Sequence, residues 1–190
     1  MNVCVYGASS TQIDTAYITA TEALGEALAK AGHGLVYGAG GAGLMGAVAR
    51  GMTRGGGNIV GVVPSFLKVD GILYEHCDEM VYTETMRQRK QIMDERSDAF
   101  VVTPGGIGTY EEFFEMYTLK QLGRHHKPII IFNIGGYYDR LLEMLRYTVG
   151  EKFMQQASLE LISVATTPEE VLAQLTRTED TVDIKKTKFV

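Results

Sequence analysis

Short apolar runs alternate with amphipathic segments along the whole chain. "VCVYG" (3–7), "GLVYG" (34–38), "NIVGVVP" (58–64), "EMVYTE" (79–84), "DAFVVT" (98–103), "KPIIIFN" (127–133) and "LISVA" (161–165) each predict a strand. Between them, helical spacing predicts helices over 14–32, 44–56, 85–97, 110–123, 137–149 and 167–175. In the first of these, Tyr17, Ala20, Leu24, Ala27 and Leu28 fall on one face. In the last, Thr167 is placed to cap the helix and Pro168 to open it. Strands of four to six residues, each followed by a helix, predict an α/β fold. The expectation is one Rossmann-like, doubly wound domain with a parallel sheet of about seven strands and helices on both faces. Ligands of such sheets bind at the carboxyl ends of the strands.

A chain of 190 residues fits one domain, here taken as 1–178, with a C-terminal tail at 179–190. The basic stretch "DIKKTKFV" in that tail fits a frayed end. The formal net charge of -5 gives no general surface for nucleic acid or membrane. Cys4 and Cys77 have no metal-type spacing, which suits a reduced cytoplasmic protein. No signal peptide or membrane-spanning run is visible. His125 and His126 are adjacent, a poor arrangement for one metal ion, and are expected at the surface. No metal or cofactor is called for by these patterns.

Two glycine clusters follow strands. "YGAGGAGLMG" (37–46) holds a formal G-x-G-x-x-G at Gly38, Gly40 and Gly43. A dinucleotide site needs an acid about 20 residues later, yet no Asp or Glu stands between Glu26 and Asp70. Phosphate or mononucleotide binding by Gly40, Gly41 and Gly43 survives, beside the plainer option of a tight turn and close helix packing. The second cluster, "TPGGIGTYEEFF" (103–114), sets Gly105, Gly106 and Gly108 between a strand and a helix. Unpaired backbone N–H groups and the helix dipole would make an anion site there, suited to a monophosphate because the P-loop lysine is missing. Thr109-x-x-Glu112 reads as a capping box, with Glu111 and Glu112 as first-turn acids. Alternatively, one carboxylate faces the sugar of a bound nucleotide, stabilising an oxocarbenium-like centre or activating water. Arg87, Arg89 and Lys90 of "TMRQRK" form either a solvated basic patch or a site for phosphate or a departing base.

Taken together, "PGGIGTYEE" (104–112), "MRQRK" (86–90) and "GAGLMG" (41–46) resemble the LOG-type (Lonely Guy) family of cytokinin riboside 5'-monophosphate phosphoribohydrolases, also labelled possible lysine decarboxylases. The resemblance covers the chain up to its last dozen residues. It implies hydrolysis of the N-glycosidic bond of adenosine 5'-monophosphates, often N6-substituted, to free base and ribose 5-phosphate. It puts Arg89 and Glu112 on the catalytic pair and Lys90 on a substrate-binding neighbour. Gly105, Gly106, Ile107, Gly108, Thr109, Tyr110 and Glu111 fall on the phosphate and ribose loop, and Thr118 on a further ligand contact. A homodimer is implied as well, and the apolar Phe113, Phe114, Met116, Tyr117 and Leu119 point to a second buried helix face. Where many relatives carry a glutamate before the fourth strand, this chain has Gly71 beside Asp70. Amino-acid decarboxylation needs pyridoxal phosphate on a lysine, and Lys90 beside an arginine does not make that site. Two alternatives stand beside the hydrolase: a nucleotide or molybdenum-cofactor carrier without turnover, and a general AMP nucleosidase.

Overall fold

The computed structural model describes residues 1–68 and 71–176. The tail at 179–190, the boundary at 178 and Asp70 lie outside the described residues. Seven strands form one parallel sheet: β1 (Asn2–Tyr6), β2 (Gly34–Tyr37), β3 (Ile59–Pro64), β4 (Glu79–Thr83), β5 (Ala99–Val102), β6 (Ile129–Phe132) and β7 (Ser163–Ala165). The α-helices are α1 (Thr15–Lys30), α2 (Gly43–Gly55), α3 (Met86–Glu95), α4 (Ile107–Gln121), α5 (Asp139–Gly150) and α6 (Pro168–Leu175). The α/β expectation is met, with helices on both faces.

The sheet order is β4-β3-β2-β1-β5-β6-β7. The chain therefore builds outward from β1 to β4, then returns to the other side of β1 for β5. That reversal leaves a crevice outside the carboxyl ends of β1 and β5, the place where doubly wound sheets bind ligands. The two strands pair from Val3 with Ala99 through Tyr6 with Val102.

Alternation along the strands divides the core in two. Val3 and Val5 point to one face, where Leu24, Leu28, Val48, Met52, Val171 and Leu175 of α1, α2 and α6 cover them. Cys4 and Tyr6 point to the other, against Met93, Phe113, Met116 and Tyr117 of α3 and α4, Tyr138 at the N-cap of α5 and Leu145 within it. Burial pushes the Cys4 thiol up to about 12, so it is an inert apolar group here.

Most boundaries follow the sequence pattern, and Thr167 caps α6 as expected, its side chain accepting from the Glu170 N–H. Three expectations need correction. The last strand is shorter than 161–165, because Leu161 closes a 3-10 turn first. His125 is half-buried, its Nε2 2.9 Å from the Met116 carbonyl oxygen, which ties the end of α4 to the loop before β6. The third correction concerns α4. It begins at Ile107, not near Tyr110, with Gly106 as its N-cap and no side-chain cap. Thr109 and Glu112 thus form no capping box, and the first turn holds no acid.

Candidate active site

The early start of α4 decides what its first turn can do. The leading N–H groups of any helix lack intrahelical acceptors. In α3 the equivalent group at Gln88 is capped by the Thr85 hydroxyl. In α4 no side chain does this, and Ile107, Gly108 and Thr109, whose amides have no intrahelical acceptor, line the crevice. Ile107 itself is 83% exposed on the rim.

The crevice measures ≈ 390 Å³ and is lined by Gly7, Ala8, Ser9 and Ser10 after β1 and by Gly106, Ile107, Gly108 and Thr109 after β5. Met45, Arg89 and Glu112 complete it. Main-chain bonds hold its walls. The Ala8 N–H donates to the Pro104 carbonyl at 3.1 Å, and the Ala8 carbonyl accepts from the Leu44 and Met45 amides at 2.8 and 3.3 Å. Beneath them the Thr103 hydroxyl donates to the Tyr6 carbonyl at 2.8 Å, and the Tyr138 hydroxyl to the Thr103 carbonyl at 2.7 Å. The Tyr137 hydroxyl donates to the Gly105 carbonyl at 2.8 Å. A Cβ added to Gly106 or Gly108 would meet no protein atom within 4 Å. Nothing in the chain's own packing requires those two glycines, and both line the crevice.

At the floor, Arg89 Nη1 lies 3.3 Å from Glu112 Oε1, with 11% and 10% of the two side chains exposed. Arg89 Nε also donates to the Val62 carbonyl at 3.3 Å. The guanidinium passes over Gly38, where any side chain would collide with it. Burial raises the Glu112 carboxyl to about 7; Arg89 opposes the rise and Glu111 adds to it. A carboxylate that titrates near neutrality, paired with a permanent cation, can exchange a proton or stabilise developing positive charge at little reorganisation cost.

The sequence matches the family described as "Possible lysine decarboxylase" over residues 45–175. It is 41% identical over 173 residues to a "Probable cytokinin riboside 5'-monophosphate phosphoribohydrolase" of Oryza sativa subsp. japonica, covering 91% of this chain and 70% of that one. It is 36% identical over 173 residues to a cytokinin riboside 5'-monophosphate phosphoribohydrolase of Arabidopsis thaliana, covering 91% and 81%. The chain belongs to this LOG-type family. The molybdenum cofactor carrier protein of Chlamydomonas reinhardtii has the same fold, with a TM-score of 0.69 at 20% identity over 90% of this chain and 93% of that one.

Of the residues that the LOG resemblance singles out, the crevice brings together Arg89, Glu112, Gly106, Ile107, Gly108 and Thr109. Gly105 lies behind the wall, buried against Thr109. Tyr110 stands edge-on to the Tyr138 ring. Glu111 turns outward to Lys90, and Thr118 is exposed roughly 9 Å along α4 from Glu112. Gly40, Gly41 and Gly43 support the crevice from behind. The Gly41 N–H donates to the Ile72 carbonyl at 2.8 Å, and Gly40 bridges Leu73. Gly43, at φ 56°, lies so close to the backbone of Ala8, Ser9 and Ser10 that a Cβ would overlap it. The basic-patch description fits the exposed Arg87 but not Arg89 or Lys90, whose side chains are largely covered.

The wall at Gly7, Ala8, Ser9 and Ser10 was not anticipated. Its signal is the run "YGASS" at the end of the first strand, small residues that let two loops meet. A further concavity of ≈ 540 Å³ lies at the amino ends of the strands, lined by Met1, Asn2, His33, Asn58 and Asp98 among others. It has no lysine, arginine or glutamate, and it is on the wrong side of the sheet for a doubly wound site. Among the described residues no cluster of His, Cys, Asp and Glu could hold a metal ion, and no helix is long and apolar enough to cross a membrane.

Proposed function

We propose that the chain hydrolyses the N-glycosidic bond of adenosine 5'-monophosphates, with N6-substituted (cytokinin) nucleotides as the preferred class. The observation that carries this is the Arg89–Glu112 pair beside an uncapped helix N-terminus, in the crevice of a LOG-family fold. The 5'-phosphate sits on the amides of Gly106 to Thr109, where the helix dipole favours an anion. The glycines leave room for its oxygens.

The sugar then lies between the phosphate and Glu112. As the bond from the anomeric carbon to the base breaks, the electron pair leaves with the base, which takes up a proton from solvent. Positive charge grows on the anomeric carbon and ring oxygen, and the Glu112 carboxylate stabilises it. Glu112 then accepts a proton from the water that adds to this carbon, so the products are free base and ribose 5-phosphate. Arg89 orients the carboxylate and favours its ionised form. This chemistry needs no metal or cofactor. A homodimer is part of the proposal.

Incubating the protein with AMP and with N6-isopentenyl-AMP, and following free base by chromatography, tests the reading. Release by the parent and its loss in Arg89→Ala and Glu112→Gln are expected, with faster release from the substituted nucleotide. Equal rates would mark a general AMP nucleosidase. Tight binding without release would mark a carrier.

A further inference from the structure

Two adjacent tyrosines reach from the end of β6 to the loop that follows β5. The Tyr138 hydroxyl donates to the Thr103 carbonyl at 2.7 Å, and the Tyr137 hydroxyl to the Gly105 carbonyl at 2.8 Å. Their placement is built in. Gly135 and Gly136 turn the chain out of β6 at φ 60° and 75°, a conformation that other residues rarely adopt. The Asn133 side chain fixes the turn, its Oδ1 accepting from the Tyr138 N–H at 2.7 Å and its Nδ2 donating to Asp139 Oδ1 at 2.8 Å. The Tyr137 ring stands edge-on to Tyr138 and Tyr17, with centroids 4.9 and 6.0 Å away. Burial and the neighbouring Tyr110 hydroxyl raise its pKa above the ordinary tyrosine value, so at neutral pH it remains a donor.

The two bonds look alike but act on different peptides. A trans peptide is planar, and its N–H points opposite to its carbonyl. The Thr103 carbonyl belongs to the peptide that leads into Pro104, which has no N–H. The Gly105 carbonyl belongs to the trans peptide that leads into Gly106, whose N–H has no acceptor among the described residues. Gly106 lines the crevice and Tyr137 does not. A peptide between two glycines has the freest backbone in the chain, and here one end of it is tied.

We propose that Tyr137 is a positioning residue for the phosphate loop: by holding the Gly105 carbonyl it presents the Gly106 N–H to the crevice as a donor for the 5'-phosphate. This rests on the nucleoside-monophosphate reading above and adds to the site a residue from the connection between β6 and α5.

The test compares Tyr137→Phe with Tyr138→Phe. Each loses one hydroxyl and keeps its ring, but only the first frees a peptide that carries a donor. Calorimetric titration with ribose 5-phosphate measures anion affinity without turnover, and thermal unfolding checks that both variants are folded. Tyr137→Phe should weaken ribose 5-phosphate about tenfold and raise KM for AMP by a similar factor, with kcat changed less than about threefold. Tyr138→Phe should lower the unfolding temperature and leave both constants within about twofold of the parent. Equal weakening in the two variants would mean a general loosening of the loop and would overturn the proposal. So would an unchanged affinity in Tyr137→Phe, or no binding of ribose 5-phosphate by the parent. Should Tyr138→Phe not fold, the Gly106 amide signal in isotope-labelled protein decides: ribose 5-phosphate must move it in the parent, and a response kept in Tyr137→Phe overturns the proposal. A parent that binds ribose 5-phosphate but releases no base from AMP ends the hydrolase reading alone, and the affinities still decide the role of Tyr137.

Discussion

Arg89 and Glu112 meet at 3.3 Å across the floor of the crevice, one from α3 and one from α4, with about nine-tenths of each side chain out of water. Burial disfavours the charged carboxylate and the guanidinium favours it, and burial wins, leaving Glu112 near 7.

That balance has a stability signature. In the unfolded chain the carboxyl returns to 4.5, so between pH 4.5 and 7 the folded state binds the extra proton. Folding stability from this group is therefore fully present below 4.5 and falls as pH rises through 7. Glu112→Gln removes the titration. From pH 4.5 to 8, the variant should gain on the order of 3 kcal/mol relative to the parent, while losing at least about 100-fold in kcat/KM. Urea unfolding of both proteins at several pH values reads the difference. Parallel stability curves would show that Glu112 titrates as an ordinary surface acid.

The glycines of the two clusters should respond oppositely to alanine. Gly106→Ala and Gly108→Ala meet open space, so each should fold with a stability change within about 1 kcal/mol and raise KM for the nucleotide about tenfold or more. Gly43→Ala meets the backbone of Ala8, Ser9 and Ser10 at a positive φ and should lose about 2 kcal/mol or more. Calorimetry beside steady-state kinetics separates the classes. A KM unaffected at both Gly106 and Gly108 would remove the phosphate from this helix end.

The homodimer can be read by sedimentation velocity at micromolar concentration, where the mass of two chains is expected. Phe113, Met116 and Tyr117 are already spent inside the chain's own core. Phe114 and Leu119 remain half-covered and Leu122 is exposed, so the proposed dimer would draw its apolar contact from this side of α4. Leu122→Glu should shift the equilibrium toward the single-chain mass; a parent already sedimenting as one chain would end the dimer proposal.

Strand and helix placement was legible because each element carries its own period, two or about 3.6, within a few residues. The start of α4 was not. Thr109 and Glu112 have the spacing of a capping box, and nothing in the local sequence separates a glycine that ends a loop from one inside a first helical turn. The Arg89–Glu112 pair was nameable through its motifs, yet its geometry depended on α3 and α4 lying side by side. The Gly7–Ser10 wall depended on strand order: only when β5 returns beside β1 do residues nearly 100 positions apart close on one space. Lys90 shows the same limit. Its charge was plain, but its direction was set by carboxylates on another helix.

The clamp at Ala8 uses only main-chain atoms, a donor to Pro104 and an acceptor for Leu44 and Met45. Its side chain plays no part in those bonds. The frame of the crevice can therefore stay fixed while the residues next to it, Ser9 and Ser10, change. Such a scaffold tolerates change beside the crevice one substitution at a time, without first rebuilding its walls.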